Sequence, residues 1–72
     1  MNAAELRALT DDELVERVDE LKTEWRDLRF DEAVGKLTNP MRIRQIKREI
    51  ARIKTIETER RIAKEIEEQL AS

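Results

Sequence analysis

Two apolar stripes on either side of one break dominate what this chain can fold into. Leu14, Val18, Leu21, Trp25 and Leu28 recur at spacings of 4, 3, 4 and 3, and Ile43, Ile46, Ile50 and Ile53 at 3, 4 and 3. Each pattern marks one face of an α-helix. The only Gly and the only Pro of the chain, Gly35 and Pro40, lie between them. Gly35 supplies a helix stop. Asn39-Pro40 supplies a start, because Asn caps well and Pro fits the first helical position, where its missing N–H is unpaired anyway. Thr10-Asp11-Asp12-Glu13 matches a capping box, and its acids suit the positive end of a helix dipole. The spacing predicts a helix over about 10–34, a turn at 35–38 and a helix over about 39–70. A link this short makes the two helices antiparallel neighbours. The predicted fold is all-α, an antiparallel two-helix hairpin with a short N-terminal helical segment, in one domain over residues 1–72.

Folding about residue 37 sets Leu28 near Ile46, Trp25 near Ile50, Leu21 near Ile53 and Val18 near Ile56. The second helix then overshoots the first. Its stripe changes register near Glu57, with Ile56, Ala63, Ile66 and Leu70 as the later apolar residues, so a drift or weak point is expected there. Leu6 and Leu9 are the nearest candidates to cover Ala63, Ile66 and Leu70.

Composition removes whole classes of function. The 72 residues contain no Cys and no His, which leaves no zinc site, disulfide framework or Cys or His nucleophile. One Gly cannot build a phosphate-binding loop or a dinucleotide turn. No apolar run approaches the ~20 residues of a membrane span, and MNAAELRAL does not read as a secretory signal. A soluble intracellular protein without cofactors is expected. A chain this short buries only about 60% of its unfolded surface, so much of its order should come from a partner.

The charge pattern indicates what kind of partner. The formal net charge is -2, but it is segregated. Residues 1–35 hold 5 basic and 11 acidic residues, and residues 57–72 hold 3 and 5. Residues 36–56 hold 7 basic residues against Glu49 alone. On the second helix, Arg44, Arg48 and Arg52 recur every four residues opposite the Ile stripe, with Ala51 and Thr55 among them and Lys47 and Lys54 flanking the seam. A row of cations broken by small residues suits a polyanion backbone, and arginine binds phosphate bidentately. Lys22, Arg26 and Arg29 gather on one flank of the first helix, and Glu13, Glu16, Glu20, Glu24, Asp27 and Asp31 on the other. A charged helix face is most often merely solvated; against that, the basic segment holds a single acid. From these residues alone, nucleic-acid binding and binding to an acidic protein both stay open. Trp25 lies in the apolar stripe and reads as core before base stacking. Phe30 falls off the stripe and either closes the hairpin end or meets a partner. Asn39 is first a cap, in an exposed position that also allows a phosphate contact.

Leu28-Arg29-Phe30, then Ala33-x-Gly35-x-Leu37-x-Asn39-Pro40-x-Arg42-Ile43-Arg44, then Arg48-x-Ile50-Ala51-Arg52-Ile53-x-Thr55 form an ordered set. Over about residues 4 to 60 the chain resembles the bacterial-type large-subunit ribosomal protein twenty-nine family. The resemblance implies a structural, non-enzymatic ribosomal subunit of bacterial or organellar type, cytoplasmic in the bacterial case. It implies a hairpin lying on large-subunit ribosomal RNA near the exit of the nascent-chain tunnel, beside ribosomal protein twenty-three and close to where trigger factor and signal recognition particle dock. The RNA-binding candidates that it implies are Arg26, Arg29, Lys36, Asn39, Arg42, Arg44, Lys47, Arg48, Arg52 and Lys54. Three features depart from the family pattern: an acidic pI of about 5.2, Glu32 where a small or apolar residue is usual, and the acidic extension over residues 57–72. That extension is expected to be helical and to point away from the phosphate-lined surface.

Two competing functions remain. A coiled-coil adaptor would dimerise through the same 4-3 stripes without nucleic acid. A small all-helical mutase of the chorismate type would also use Arg and Glu on long helices, but it needs cations facing inward, and here they face away from the apolar stripe. Carboxylates such as Glu16 and Glu20 lie on an exposed face with no cause for a raised pKa.

Overall fold

The computed structural model describes residues 1–71, in three helices: α1 (Ala3–Arg7), α2 (Asp11–Ala33) and α3 (Pro40–Ala71). Local signals set each boundary. Asn2 opens α1 with a capping box: its Oδ1 accepts from the Glu5 N–H at 2.9 Å, and the Glu5 carboxylate accepts from the Asn2 N–H at 3.4 Å. Thr10 opens α2 by accepting from the Glu13 N–H at 3.2 Å; the reciprocal half of the predicted box, Glu13 back to Thr10, does not form. At the other end of α2, Gly35 takes φ +83. The Gly35 N–H donates to the Glu32 carbonyl at 3.1 Å and the Lys36 N–H to the Asp31 carbonyl at 2.9 Å, the paired bonds of a Schellman stop. Asn39 then caps α3, its Oδ1 accepting from the Met41 N–H at 3.0 Å. Glu32, unusual on sequence grounds, has a local role: its carboxylate accepts from the Thr38 hydroxyl at 3.0 Å and ties the turn to the end of α2.

α2 and α3 pack into a hairpin, and the molecule is long and thin, 58 Å by 18 by 15 Å. The core is one row deep. Leu6, Leu14, Leu21, Ile46, Ile50, Ile53 and Ile56 are buried, and Leu9, Val18, Trp25 and Leu28 pack against them from the edges. α1 runs back along the hairpin beside α3. Ala3 and Arg7 border a groove with Ala51, Arg52, Thr55 and Ile56, and Arg7 reaches Glu59. Arg60 fastens this arrangement, donating to the Asp11 carboxylate at 2.7 Å and to the Arg7 and Leu9 carbonyls at 3.1 and 2.8 Å. Those two carbonyls sit where the chain leaves α1, so one guanidinium satisfies acceptors that the helix cannot.

One expectation for the tail needs correction. Leu6 and Leu9 join the core built on Ile46 to Ile56, not on Ala63, Ile66 and Leu70. α1 is only five residues long and starts level with Glu49, so it ends before reaching them. The helix itself continues past Glu57 as the sequence predicts, α3 being continuous for 32 residues. What changes there is the apolar stripe. At ~100° per residue, the Ile46–Ile53 stripe gives way to Ile62, Ile66 and Leu70 on nearly the opposite side, and these three are 47%, 51% and 82% exposed.

The burial pattern makes a direct stability prediction. Leu21, 1% exposed, should lose about 2–5 kcal/mol on replacement by Ala. Ile66→Ala should change stability by no more than about 0.5 kcal/mol. Urea titrations followed by far-UV circular dichroism compare the two; equal losses would contradict this account of the core.

Candidate nucleic-acid interface

The basic segment divides into cations that hold the hairpin together and cations left outside. Two arginines clamp the helices. Arg17 of α2 grips Glu49 of α3 with Nε and Nη2 at 3.0 and 3.2 Å, and Arg42 of α3 grips Glu24 of α2 with Nε and Nη2 at 2.8 and 2.6 Å. Glu49, the one acid of residues 36–56, is thereby the one buried charge of the structure among the described residues, 5% exposed. Burial alone drives its carboxyl upward. The Arg17 hydrogen bonds and charge, joined by the Met1 ammonium at 3.3 Å, outweigh that and hold its pKa below the ordinary 4.5. The Glu24 carboxyl is likewise held down, chiefly by its hydrogen bonds to Arg42. Neither group is therefore poised to carry a proton near neutral pH.

Arg42, a candidate for RNA on sequence grounds, is thus committed within the fold. Asn39 is exposed, but its side-chain Oδ1 is held by the cap, accepting from the Met41 N–H. Lys36 lies 3.9 Å from Asp31. The other seven candidates, Arg26, Arg29, Arg44, Lys47, Arg48, Arg52 and Lys54, are exposed and make no ion pair among the described residues. Lys47 alone has a partner of another kind, its ammonium lying 5.3 Å from the centre of the Trp25 ring.

These seven do not form one flat strip. Arg44 and Lys47 face an open cleft of about 430 Å³ at the turn end of the hairpin, with Arg29 across from them on α2 and Trp25, Ile43 and Pro40 in its lining. Arg48 and Arg52 border a second cleft of about 300 Å³ on the other slope of α3, with Arg42 and Glu49 on its inner side. α3 is a ridge with cations down both sides. Arg26 and Lys54 line neither cleft. Sequence reasoning missed Trp25 as a cleft residue, because its place in the stripe reads as core and only the packing leaves one side of the ring open. It also missed the grouping of exposed apolar residues near the turn, Phe30, Val34, Leu37 and Met41. Among the described residues no cluster of three or more acidic residues could hold a metal ion, and no helix is long and apolar enough to cross a membrane.

The ribosomal L29 protein family model matches residues 4–60, most of the chain and all of the hairpin up to Arg60. The chain belongs to this family. Among similar members, the large ribosomal subunit protein uL29 of Desulforamulus reducens is 55% identical over 62 residues, 86% of this chain and 95% of that protein. That of Carboxydothermus hydrogenoformans is 54% identical over 65 residues, 90% and 94% of the two chains. That of Persephonella marina is 53% identical over 64 residues, 89% and 94%. All seven exposed candidate cations lie within the span matched to the L29 family, and the exposed Ile62, Ile66 and Leu70 lie beyond it.

The clamps predict a pH dependence. Glu24 and Glu49 have folded pKa values below the unfolded 4.5, so near that pH the unfolded chain binds more protons. The stability they contribute is present above about pH 4.5 and is lost as the pH falls through their folded values. The urea midpoint of the isolated chain should fall steadily below about pH 4.5. Glu49→Gln should lower the midpoint at pH 7 and make the acid decline shallower; an unchanged acid decline would show that Glu49 is not its source.

Proposed function

We propose that this chain is a structural, non-enzymatic protein of the large ribosomal subunit that binds its ribosomal RNA through the ridge of α3. The observation that carries this is the division of the arginines. Arg17, Arg42 and Arg60 pair with carboxylates of the chain itself, while Arg29, Arg44, Lys47, Arg48 and Arg52 stand exposed without one among the described residues. Arg44, Lys47, Arg48 and Arg52 on both slopes of α3, with Arg29 across from them on α2, suit phosphates approaching from two strands. Such contacts position the protein without reading sequence, and counterion release supplies much of the affinity. The family resemblance supports the finer location: near the nascent-chain exit in the bacterial cytoplasm, beside ribosomal protein twenty-three and within reach of trigger factor or signal recognition particle.

The adaptor alternative needs an apolar seam left over for a second chain. Here the 4-3 stripes of α2 and α3 face each other, α1 covers part of what remains, and the short exposed stripe Ile62, Ile66 and Leu70 is bordered by carboxylates that a second copy would set against its own. The isolated chain should therefore sediment as a monomer.

Replacing Arg44, Arg48 and Arg52 together by Glu should abolish co-sedimentation with large subunits in high-salt-washed lysate while helicity stays near that of the parent. Arg42→Ala is the informative contrast. It should destabilise the isolated chain while changing the slope of RNA affinity against salt by much less than the ~0.7–0.9 per phosphate contact expected for a lost contact. A triple variant that still assembles would remove the ridge from the mechanism.

A further inference from the structure

The outward face of α3 changes chemistry along its length without changing direction. Ile62, Ile66 and Leu70 follow Arg44, Arg48 and Arg52 by eighteen residues each, which is five helical turns. The apolar three therefore lie at nearly the same angle around the unbroken helix as the arginines. The tail does not turn away from the phosphate-facing side, as its acidity alone suggested; it continues that side with different groups. Glu59 precedes the stripe, Glu65 lies about 60° to one side of Ile62, and Glu67 about 60° beyond Leu70. The cations of the tail are elsewhere. Arg61 and Lys64 project from the far side of the helix, and Arg60 is bonded to Asp11 and two carbonyls.

We propose that this face, from Glu59 to Leu70, docks on a protein surface that carries an apolar patch ringed by Lys or Arg. Charge selects this occupant. RNA would bring phosphates against Glu65 and Glu67, well within the ~8 Å over which physiological salt leaves charges unscreened, and the cation nearest the face, Arg7, is already paired with Glu59 at its start. A second copy of this chain would set the same carboxylates against each other. A cationic protein satisfies both the apolar stripe and its acidic borders. Three exposed side chains are too few for a stable complex on their own, so the contact is one part of a larger assembly held chiefly by the arginines. The proposal rests on the ribosomal reading above: the arginine half of the face lies on RNA, and the tail reaches past it to a neighbouring basic protein.

The test places a benzophenone side chain at position 66, and separately at position 68 on the far side, in the full-length chain within purified large subunits. Both sites are exposed, so neither variant should disturb folding. Position 66 is expected to cross-link to a Lys- or Arg-rich segment of another protein, and position 68 not to. Adding Glu65→Lys and Glu67→Lys should abolish that cross-link while the chain remains in the subunit. A cross-link from position 66 to RNA or to a second copy, or none in subunits that contain the chain, overturns this proposal and leaves the ribosomal reading standing. Absence of the parent chain from subunits overturns both.

Discussion

The two Arg–Glu clamps fix how α2 lies on α3, and the core and the exposed ridge follow from that register. Arg17 and Glu24 are seven residues apart on one helix, and Glu49 and Arg42 seven apart on the other, with the signs reversed between the two pairs. A slip of one heptad in either direction brings Arg17 to Arg42 or Glu24 to Glu49. Both slips put like charges together and strand a partner. A row of Leu and Ile is tolerant of such slips, since any heptad shift restores apolar contact. The clamps remove that degeneracy. Glu49 makes the constraint strict, because a carboxylate this buried must keep its guanidinium or bear the full cost of desolvation.

The register also sorts the cations. Once Arg42 is committed to Glu24 and Arg60 to Asp11 and the end of α1, the remaining basic residues of α3 are left exposed and without an ion pair among the described residues. A chain of net charge -2 can thus present a basic surface. Part of the acid is spent internally, at Glu24 and Glu49. Local separation of charge, rather than the overall balance, determines what an approaching polyanion meets.

The helices and the hairpin were legible because their signals are local: stripe spacing, Gly35, Asn39-Pro40 and Thr10. The Asn2–Glu5 capping box was equally local and was passed over. The clamps were not legible. Arg17–Glu49 and Glu24–Arg42 depend on side-chain direction at the flank of a packed pair, which the core pattern does not specify. The same gap misplaced Leu6 and Leu9, whose partners depend on where a five-residue helix ends in space. Among the candidate contact residues, the outward direction of Arg44, Arg48 and Arg52 followed from periodicity. The internal engagement of Arg42 required the opposite helix.

α3 works as a phase-locked shaft. Its hydrogen-bond ladder runs unbroken from the turn to the tail, so the angle between the arginine ridge and the Ile62–Leu70 stripe is set by residue count alone. One residue inserted between Arg60 and Ile62 would leave every buried side chain and the Arg60 bonds in place and rotate the tail by about 100°. An insertion of seven would extend the tail by roughly 10 Å and nearly restore its heading. Variation in the length of this segment therefore carries geometric information: whole-heptad changes preserve which neighbour the tail faces, and single-residue changes redirect it.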